Sequence, residues 1–246
     1  VDAGSVEAGG KVIATSITIA MICVGIWAYL ILARGAYWHA SARDTTNIAG
    51  MAVPWPAVAA VIPARNESEC IARSVQSLLR QDYRGPLTIV VVDDDSDDGT
   101  GAVAKDAAAG DGRLSVVRTT GPAAGWTGKL WAVSQGIAAA EAFHPEYLLL
   151  TDADIEHAPD TLSWLVAQSV NGRFVLTSLM AKLRCVSLAE KIHVPAFIYF
   201  FQMLYPFAWV ARADSSTAAA AGGCMLVRAD ALASMGGIAS IRGALI

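Results

Sequence analysis

A mostly parallel α/β sheet preceded by one membrane-spanning helix is the architecture this sequence predicts. Three observations lead there. Residues 12–33 carry no charge between Lys11 and Arg34. From residue 57 onward, short apolar runs of strand length alternate with amphipathic stretches. The composition is also skewed, with 54% of the 246 residues apolar and 16% charged, against roughly 25% charged in soluble domains. A chain this apolar is not disordered. Its 18 basic against 22 acidic residues, a net charge of −4, leave no footprint for nucleic acid. Cys23, Cys70, Cys185 and Cys224 lie far apart without a C-x-x-C pair, so they read as free thiols rather than a zinc site or a disulfide framework.

The elements follow in chain order. Residues 1–11 read as a tail and 12–33 as the anchor, because a helix of that length rises about 33 Å and the hydrocarbon core is about 30 Å thick. A signal peptide cleaved near Ala40-Ser41-Ala42 is the competing reading. Signal cores run only about 7–15 residues after a basic start, whereas here Asp2 and Glu7 precede a longer run. Arg34 and Arg43 follow the helix and Lys11 precedes it, which places the later residues on the cytoplasmic side of a bacterial-type inner (plasma) membrane. Residues 34–56 read as a linker and 57–246 as the folded domain.

Within that domain the strand-length runs are 58–62, 87–92, 114–117, 147–150 and 174–179. Residues 66–81 predict a helix, with Ile71, Val75, Leu78 and Leu79 at helical spacing and Asn66 and Glu69 as a capping box. Helices are also expected over 129–142 and 159–170. Continuously apolar strands between helices mean a sheet covered on both faces, and such sheets bind ligands beyond the carboxyl ends of their strands. Residues 63–67, 93–100 and 152–154 therefore share one rim. A second uncharged stretch, 194–211, holds Phe197, Tyr199, Phe200, Phe201, Tyr205, Phe207 and Trp209. Its aromatics suit the membrane–water interface, and Pro195 and Pro206 count against a straight span. An interfacial helix is expected there, with a buried core helix or a second span as alternatives.

Three motifs carry chemistry. In Asp93-Asp94-Asp95-Ser96-Asp97-Asp98, five carboxylates crowd a strand end. Asp97 and Asp98 read as a solvated turn with Asp98 capping the next helix. Asp93 and Asp94, nearer the strand, are placed to accept hydrogen bonds from a base or a ribose. In Asp152-Ala153-Asp154, two carboxylates spaced by one residue offer oxygen-only ligation, suited to Mg²⁺ or Mn²⁺ bridging a diphosphate. Nearby His157 reads as a helix-start residue. Gly125-Trp126-Thr127-Gly128-Lys129 is not a Walker A loop, since Ala123 and Leu130 stand where that motif needs glycine and Ser/Thr. It reads as a glycine turn opening a helix, with one ammonium aimed at phosphate.

Taken together, these motifs resemble the family 2 glycosyltransferases of GT-A fold. Val61-Ile62-Pro63-Ala64-Arg65-Asn66-Glu67, the 92–100 segment, Gly128-Lys129, Asp152/Asp154 and Gly222-Gly223-Cys224-Met225-Leu226-Val227-Arg228 before Gly236-Gly237 stand in family order. The Gly125–Lys129 phrase, the 150–155 phrase and the aromatic stretch look most like the hopene-associated, membrane-anchored subfamily. The resemblance implies that Pro63, Ala64, Arg65, Glu67, Asp93 and Asp94 hold the nucleotide, with Lys129 at the base or diphosphate. It implies Asp152 and Asp154 at the metal, Asp152 also touching the donor, and Gly222 and Gly223 beside the acceptor. The family's acidic general base does not occur between Gly237 and Ile246 and is expected beyond Ile246; a Q-x-x-R-W element is also absent. The expected activity is inverting transfer of a sugar from a nucleotide donor, in particular a UDP-sugar, to a lipid or lipid-linked acceptor at the membrane. The alternatives are a catalytically silent sugar-nucleotide binder and a phospho-receiver signalling domain.

Overall fold

The computed structural model describes residues 3–39, 55–212 and 214–244. Most of the expected linker, including Arg43 and Ala40-Ser41-Ala42, lies outside the described residues, as does Ile246. In chain order the helices are α1 (Ala3–Ala33), α2 (Ile71–Leu79), α3 (Thr100–Ala107), α4 (Gly128–Ala140), α5 (Thr161–Gly172), α6 (Leu188–Leu204), α7 (Phe207–Val210) and α8 (Ala229–Ser234). The strands are β1 (Val58–Ala64), β2 (Leu87–Asp94), β3 (Leu114–Thr119), β4 (Tyr147–Thr151), β5 (Leu176–Ser178) and β6 (Cys224–Arg228). Two compact units result: Val1–Thr46 with Leu183–Ala219, and Asn47–Lys182 with Ala220–Ile246. Residues 183–219, inside the expected 57–246 domain, group with the unit around α1.

The second unit is the sheet, ordered β3-β2-β1-β4-β6-β5. Strands β1 to β4 pair in parallel, in register from Val58↔Leu87 to Ala64↔Asp93 between β1 and β2. Strand β6 runs antiparallel to both β4 and β5. Its five residues fell within a segment read only as a motif, too short and too isolated to signal a strand. Alternate residues of each central strand enter opposite cores. Ala60, Ile62, Ile89, Val91, Leu149 and Leu226 pack with Ile71, Val75 and Leu78 of α2 and with Leu162, Leu165 and Val166 of α5. Ala59, Val61, Val90, Val92, Leu148 and Leu150 pack on the other face against Ala132, Val133 and Ala140 of α4. Double-sided burial is why these strands read as unbroken apolar runs.

The expected capping box is not formed. Helix α2 starts at Ile71, after a turn in which Cys70 and Ile71 N–H donate to Glu67 O. Asn66 instead takes a left-handed conformation (φ 55°). Its N–H donates to Ser96 Oγ, and its Oδ1 accepts from Asp97 N–H at 3.1 Å. Asn tolerates that conformation, and its amide here serves to bridge two rim loops.

One polar knot fixes the ends of β4 and β6. Gly223 O accepts from Asp152 N–H (3.2 Å) and from Thr151 Oγ1–H (3.0 Å). Thr151 Oγ1 is then left to accept from His157 Nε2 at 3.0 Å, while His157 N–H donates to Ser77 Oγ. His157 is buried and precedes α5 rather than starting it. Burial lowers its proton affinity to a pKa of about 4.

The unit around α1 is built differently. The expected 1–11 tail is already helical from Ala3. Within α1, Gly10–Ala33 is long and apolar enough to cross a membrane, and none of it is buried. No residue of α6 is buried, unlike a helix packed inside a core. Among the described residues only Gly10–Ala33 is long and apolar enough to be a candidate span. Helix α6 continues through Pro195 but ends before Pro206, where the short α7 restarts. Arg34 joins the two helical parts. Its Nε and Nη2 donate to Met203 O and Leu204 O, the last carbonyls of α6, and its guanidinium lies 5.0 Å from the Trp209 ring. Gly35, at φ 60°, approaches Pro206 and Trp209 so closely that a Cβ would stand 2.8 Å from Pro206 Cβ. Beyond it, buried Tyr37 packs on Tyr199.

Two outcomes are expected. A Cβ on Gly136 of α4 would lie 2.8 Å from Val92 Cγ2 and closer still to Val61 Cγ1, both on the buried sheet. Gly136→Ala should therefore destabilise by about 1–3 kcal/mol through overpacking, despite alanine's better helix propensity; chemical denaturation followed by Trp fluorescence measures it. For His157, the unfolded chain takes up a proton before the folded one does. Stability is thus complete above its ordinary value of 6.5 and falls as pH drops toward about 4. The loss amounts to about 3 kcal/mol at ~1.4 kcal/mol per pH unit. His157→Gln should remove this slope from a pH series of denaturation curves.

Candidate functional site

The carboxyl ends of β1, β2 and β4 and the first turn of α4 enclose a cleft of about 380 Å³, lined by Pro63, Ala64, Arg65, Glu67, Asp94, Gly128, Lys129, Ala132, Asp152, Ala153 and Asp154. Three segments distant in sequence meet there because parallel pairing sets their ends side by side, as in Ala64↔Asp93. Of the residues expected to hold a nucleotide, Pro63, Ala64, Arg65, Glu67, Asp94, Lys129 and Asp152 are brought together. Asp93 is not.

Asp93 and Asp94 point to opposite faces, as neighbours in a strand must. Asp93 is buried under the rim, where its Oδ1 accepts from Ser96 N–H at 3.0 Å and its Oδ2 would stand 2.6 Å from any Cβ at Gly101. It builds the turn. Asp94 faces the cleft with its side chain only 5% exposed. Its Oδ1 accepts from Thr119 Oγ1–H at 2.8 Å, and its Oδ2 lies 3.8 Å from Arg65 Nη1. A Cβ at Gly128 would lie 3.4 Å from that same Oδ2. Sequence reading missed Ala132 in this wall and Thr119 behind Asp94, and named Gly128 only as part of the turn before Lys129. The signals were available: Thr119 stands opposite Asp94 in register, and Gly128 and Ala132 are small residues one helical turn apart.

Asp98 and Asp95 find partners close by. Asp98, expected to cap α3, instead stands one residue before the N-cap, Gly99; there its Oδ1 accepts from Thr100 N–H and Oγ1–H, and its Oδ2 from Ser68 N–H. These donors, Thr100 Oγ1–H foremost, hold its carboxyl well below the usual range. Asp95 meets Arg118 at 3.5 Å.

The chain leaves β4 at Thr151 and turns through Ala153 and Asp154, so the D-x-D pair sits in a turn rather than an extended strand. Asp152 Oδ1 is paired with Lys129 Nζ at 2.7 Å, and Asp154 is exposed. Gly223 abuts this turn, since a Cβ there would lie 3.6 Å from Asp152 Oδ2, while Gly222 is open on all sides. The 125–129 turn needs glycine at Gly125 (φ 81°). It is propped by Thr127 N–H donating to Arg242 O and by Trp126 stacked edge-on against Trp131.

Among the described residues no cluster of three or more His, Cys, Asp or Glu forms a ready metal cage. Two carboxylates on a phosphate-sized cleft fit Mg²⁺ or Mn²⁺, which keep water and substrate oxygens as their remaining ligands. The cysteines stay free thiols. Cys70 Sγ–H donates to Glu67 Oε2, and burial, then that carboxylate, push its thiol up to about 12.

The sequence signature of Glycosyl transferase family 2 matches residues 59–236. An N-acetylglucosaminyltransferase of Azorhizobium caulinodans is 47% identical over 58 residues, 22% of this chain and 15% of that protein. Among solved structures, the mannosyltransferase PcManGT from Pyrobaculum calidifontis, in complex with GDP-Man and Mn²⁺, superposes with a TM-score of 0.57 at 22% identity, over 92% of this chain and 58% of that one. The chain spans less than two thirds of either protein. The superposition supports the GT-A α/β fold, and the signature overturns the phospho-receiver alternative. Matched from the first sheet strand to the turn after α8, this chain belongs to glycosyl transferase family 2.

Proposed function

We propose that the chain transfers a sugar, with inversion, from a nucleotide-diphosphate donor, in particular a UDP-sugar, to a lipid or lipid-linked acceptor. The observation that carries this reading is the charge pattern of the cleft: Arg65 and Lys129 face Glu67, Asp94, Asp152 and Asp154. Two cations against four carboxylates repel a diphosphate unless a divalent ion joins them. In this reading Asp152 and Asp154 hold Mg²⁺ or Mn²⁺, and Pro63, Ala64, Arg65 and Glu67 wall the nucleotide. Asp94, held rigid by Thr119, accepts from uracil N–H or ribose, while Asp93 only shapes the turn. The ion, when bound, offsets charge on the leaving diphosphate. Lys129 and the N-terminus of α4 orient the phosphates. Gly222 and Gly223 leave room for the acceptor. Asp230 is not the base, because its carboxylate is engaged by Arg228 Nε and Ala231 N–H; no described residue receives that role.

The lipid acceptor, of the kind used by the hopene-associated relatives that the sequence resembles, is supported by the other unit. Exposed Gly10–Ala33 suits a span. Exposed Leu188, Ile192, Phe197, Tyr199 and Phe200 of α6 suit the interface of the same cytoplasmic leaflet.

Calorimetric titration of UDP tests the donor reading. With Mn²⁺ present, the Asp152→Asn, Asp154→Asn double variant should lose at least tenfold in affinity, about 1.4 kcal/mol; unchanged metal-dependent affinity would remove the metal assignment. Asp94→Ala should weaken UDP by about 1.5–3 kcal/mol, the worth of a hydrogen bond to a charged group, with or without metal. Loss seen only with metal would contradict its role at the base or ribose.

A further inference from the structure

The Lys129–Asp152 contact supports an inference that rests on the metal-dependent reading above and deepens it. Lys129 Nζ stands 2.7 Å from Asp152 Oδ1, the carboxylate proposed to hold the ion. Neither backbone is free to withdraw. Asp152 N–H and Thr151 Oγ1–H are both fixed on Gly223 O, and Lys129 lies in the first turn of α4, where Gly128 packs on Asp94. Parting the pair is therefore left to the side chains, and the half-exposed lysine has the longer reach. The cleft's other cation, Arg65, is directed at Asp94 rather than at the D-x-D pair.

A divalent ion and an ammonium cannot share one carboxylate oxygen without strong mutual repulsion at ~4 Å. We propose that Lys129 is an exchangeable place-holder on Asp152, displaced when the ion binds and captured by the nucleotide's diphosphate. Asp152 then exchanges an ammonium for a metal ion. Lys129 exchanges a carboxylate for a phosphate at a helix N-terminus, where anions are favoured. Either ligand alone completes only half of this exchange. Metal alone leaves the ammonium beside a cation, and nucleotide alone draws Lys129 away and leaves its phosphates facing four carboxylates. Together they satisfy every charge, so each strengthens the other's binding by the same factor. Lys129 is in this sense a positioning residue that makes metal loading wait for the donor.

The test measures Mn²⁺ affinity from loss of the free-ion electron paramagnetic resonance signal, with and without UDP, on the full chain in detergent. Wild type should bind Mn²⁺ weakly alone and on the order of tenfold more tightly with UDP. Lys129→Met should bind Mn²⁺ alone on the order of tenfold more tightly than wild type, with UDP giving little further gain. Lys129→Arg, which keeps a cation on Asp152, should retain the wild-type pattern and guards against a folding defect in the methionine variant. Equal metal-only affinity in wild type and Lys129→Met, with UDP still tightening Mn²⁺ in both, would overturn the place-holder while leaving the metal-dependent reading intact. Absence of Mn²⁺ binding in wild type even with UDP would overturn both.

Discussion

Carboxylates crowd the rim of this sheet, and the local structure is the record of how each one finds a donor. Asp93 takes a backbone N–H from its own turn, Asp94 takes Thr119 and faces Arg65, and Asp98 ties Ser68 to Thr100. Asp152 takes Lys129. Apart from the Asp93 bond, which closes its own turn, these contacts cross between segments, so the same interactions also stitch the loops above β1, β2 and β4 into one wall. Negative charge is concentrated where two of the carboxylates stay accessible, and the proposed need for a cation rests on that.

Much of the fold was legible because burial on both faces leaves a plain mark. The central strands are unbroken apolar runs, and their starts were located to the residue at Val58, Leu87, Leu114 and Tyr147. What escaped were elements whose identity depends on partners far along the chain. The five residues of β6 become a strand only because β4 and β5 offer edges to pair with. The Asn66/Glu69 spacing is a good capping signal locally, yet the acidic turn thirty residues on claims the Asn66 side chain first.

The site was legible to a similar depth. Residues named for the nucleotide and the metal gather in the cleft, apart from Asp93, whose exclusion follows from the two-residue period of a strand and could have been read in advance, while Gly222 and Gly223 stand outside its lining. His157 was not legible in the same way. Its place beneath the D-x-D turn depends on Thr151, Gly223 and Ser77, residues from three separate segments. Its proton affinity depends on being buried among them.

The antiparallel return of β6 has a further consequence. The chain leaves the sheet after β5 and comes back at β6 beside the point of departure. Leu179 N–H donates to Cys224 O at 3.0 Å, and Ala221 N–H donates to Ser178 Oγ at 3.2 Å. An excursion whose two feet are clasped in this way is a loop closed at its base, and doubling the length of such a loop costs only about 0.6 kcal/mol of closure entropy. The 183–219 segment is therefore an evolutionary socket. Its length and surface chemistry can be rewritten while the hairpin at its base keeps the strand order, the register and the Gly223 carbonyl unchanged.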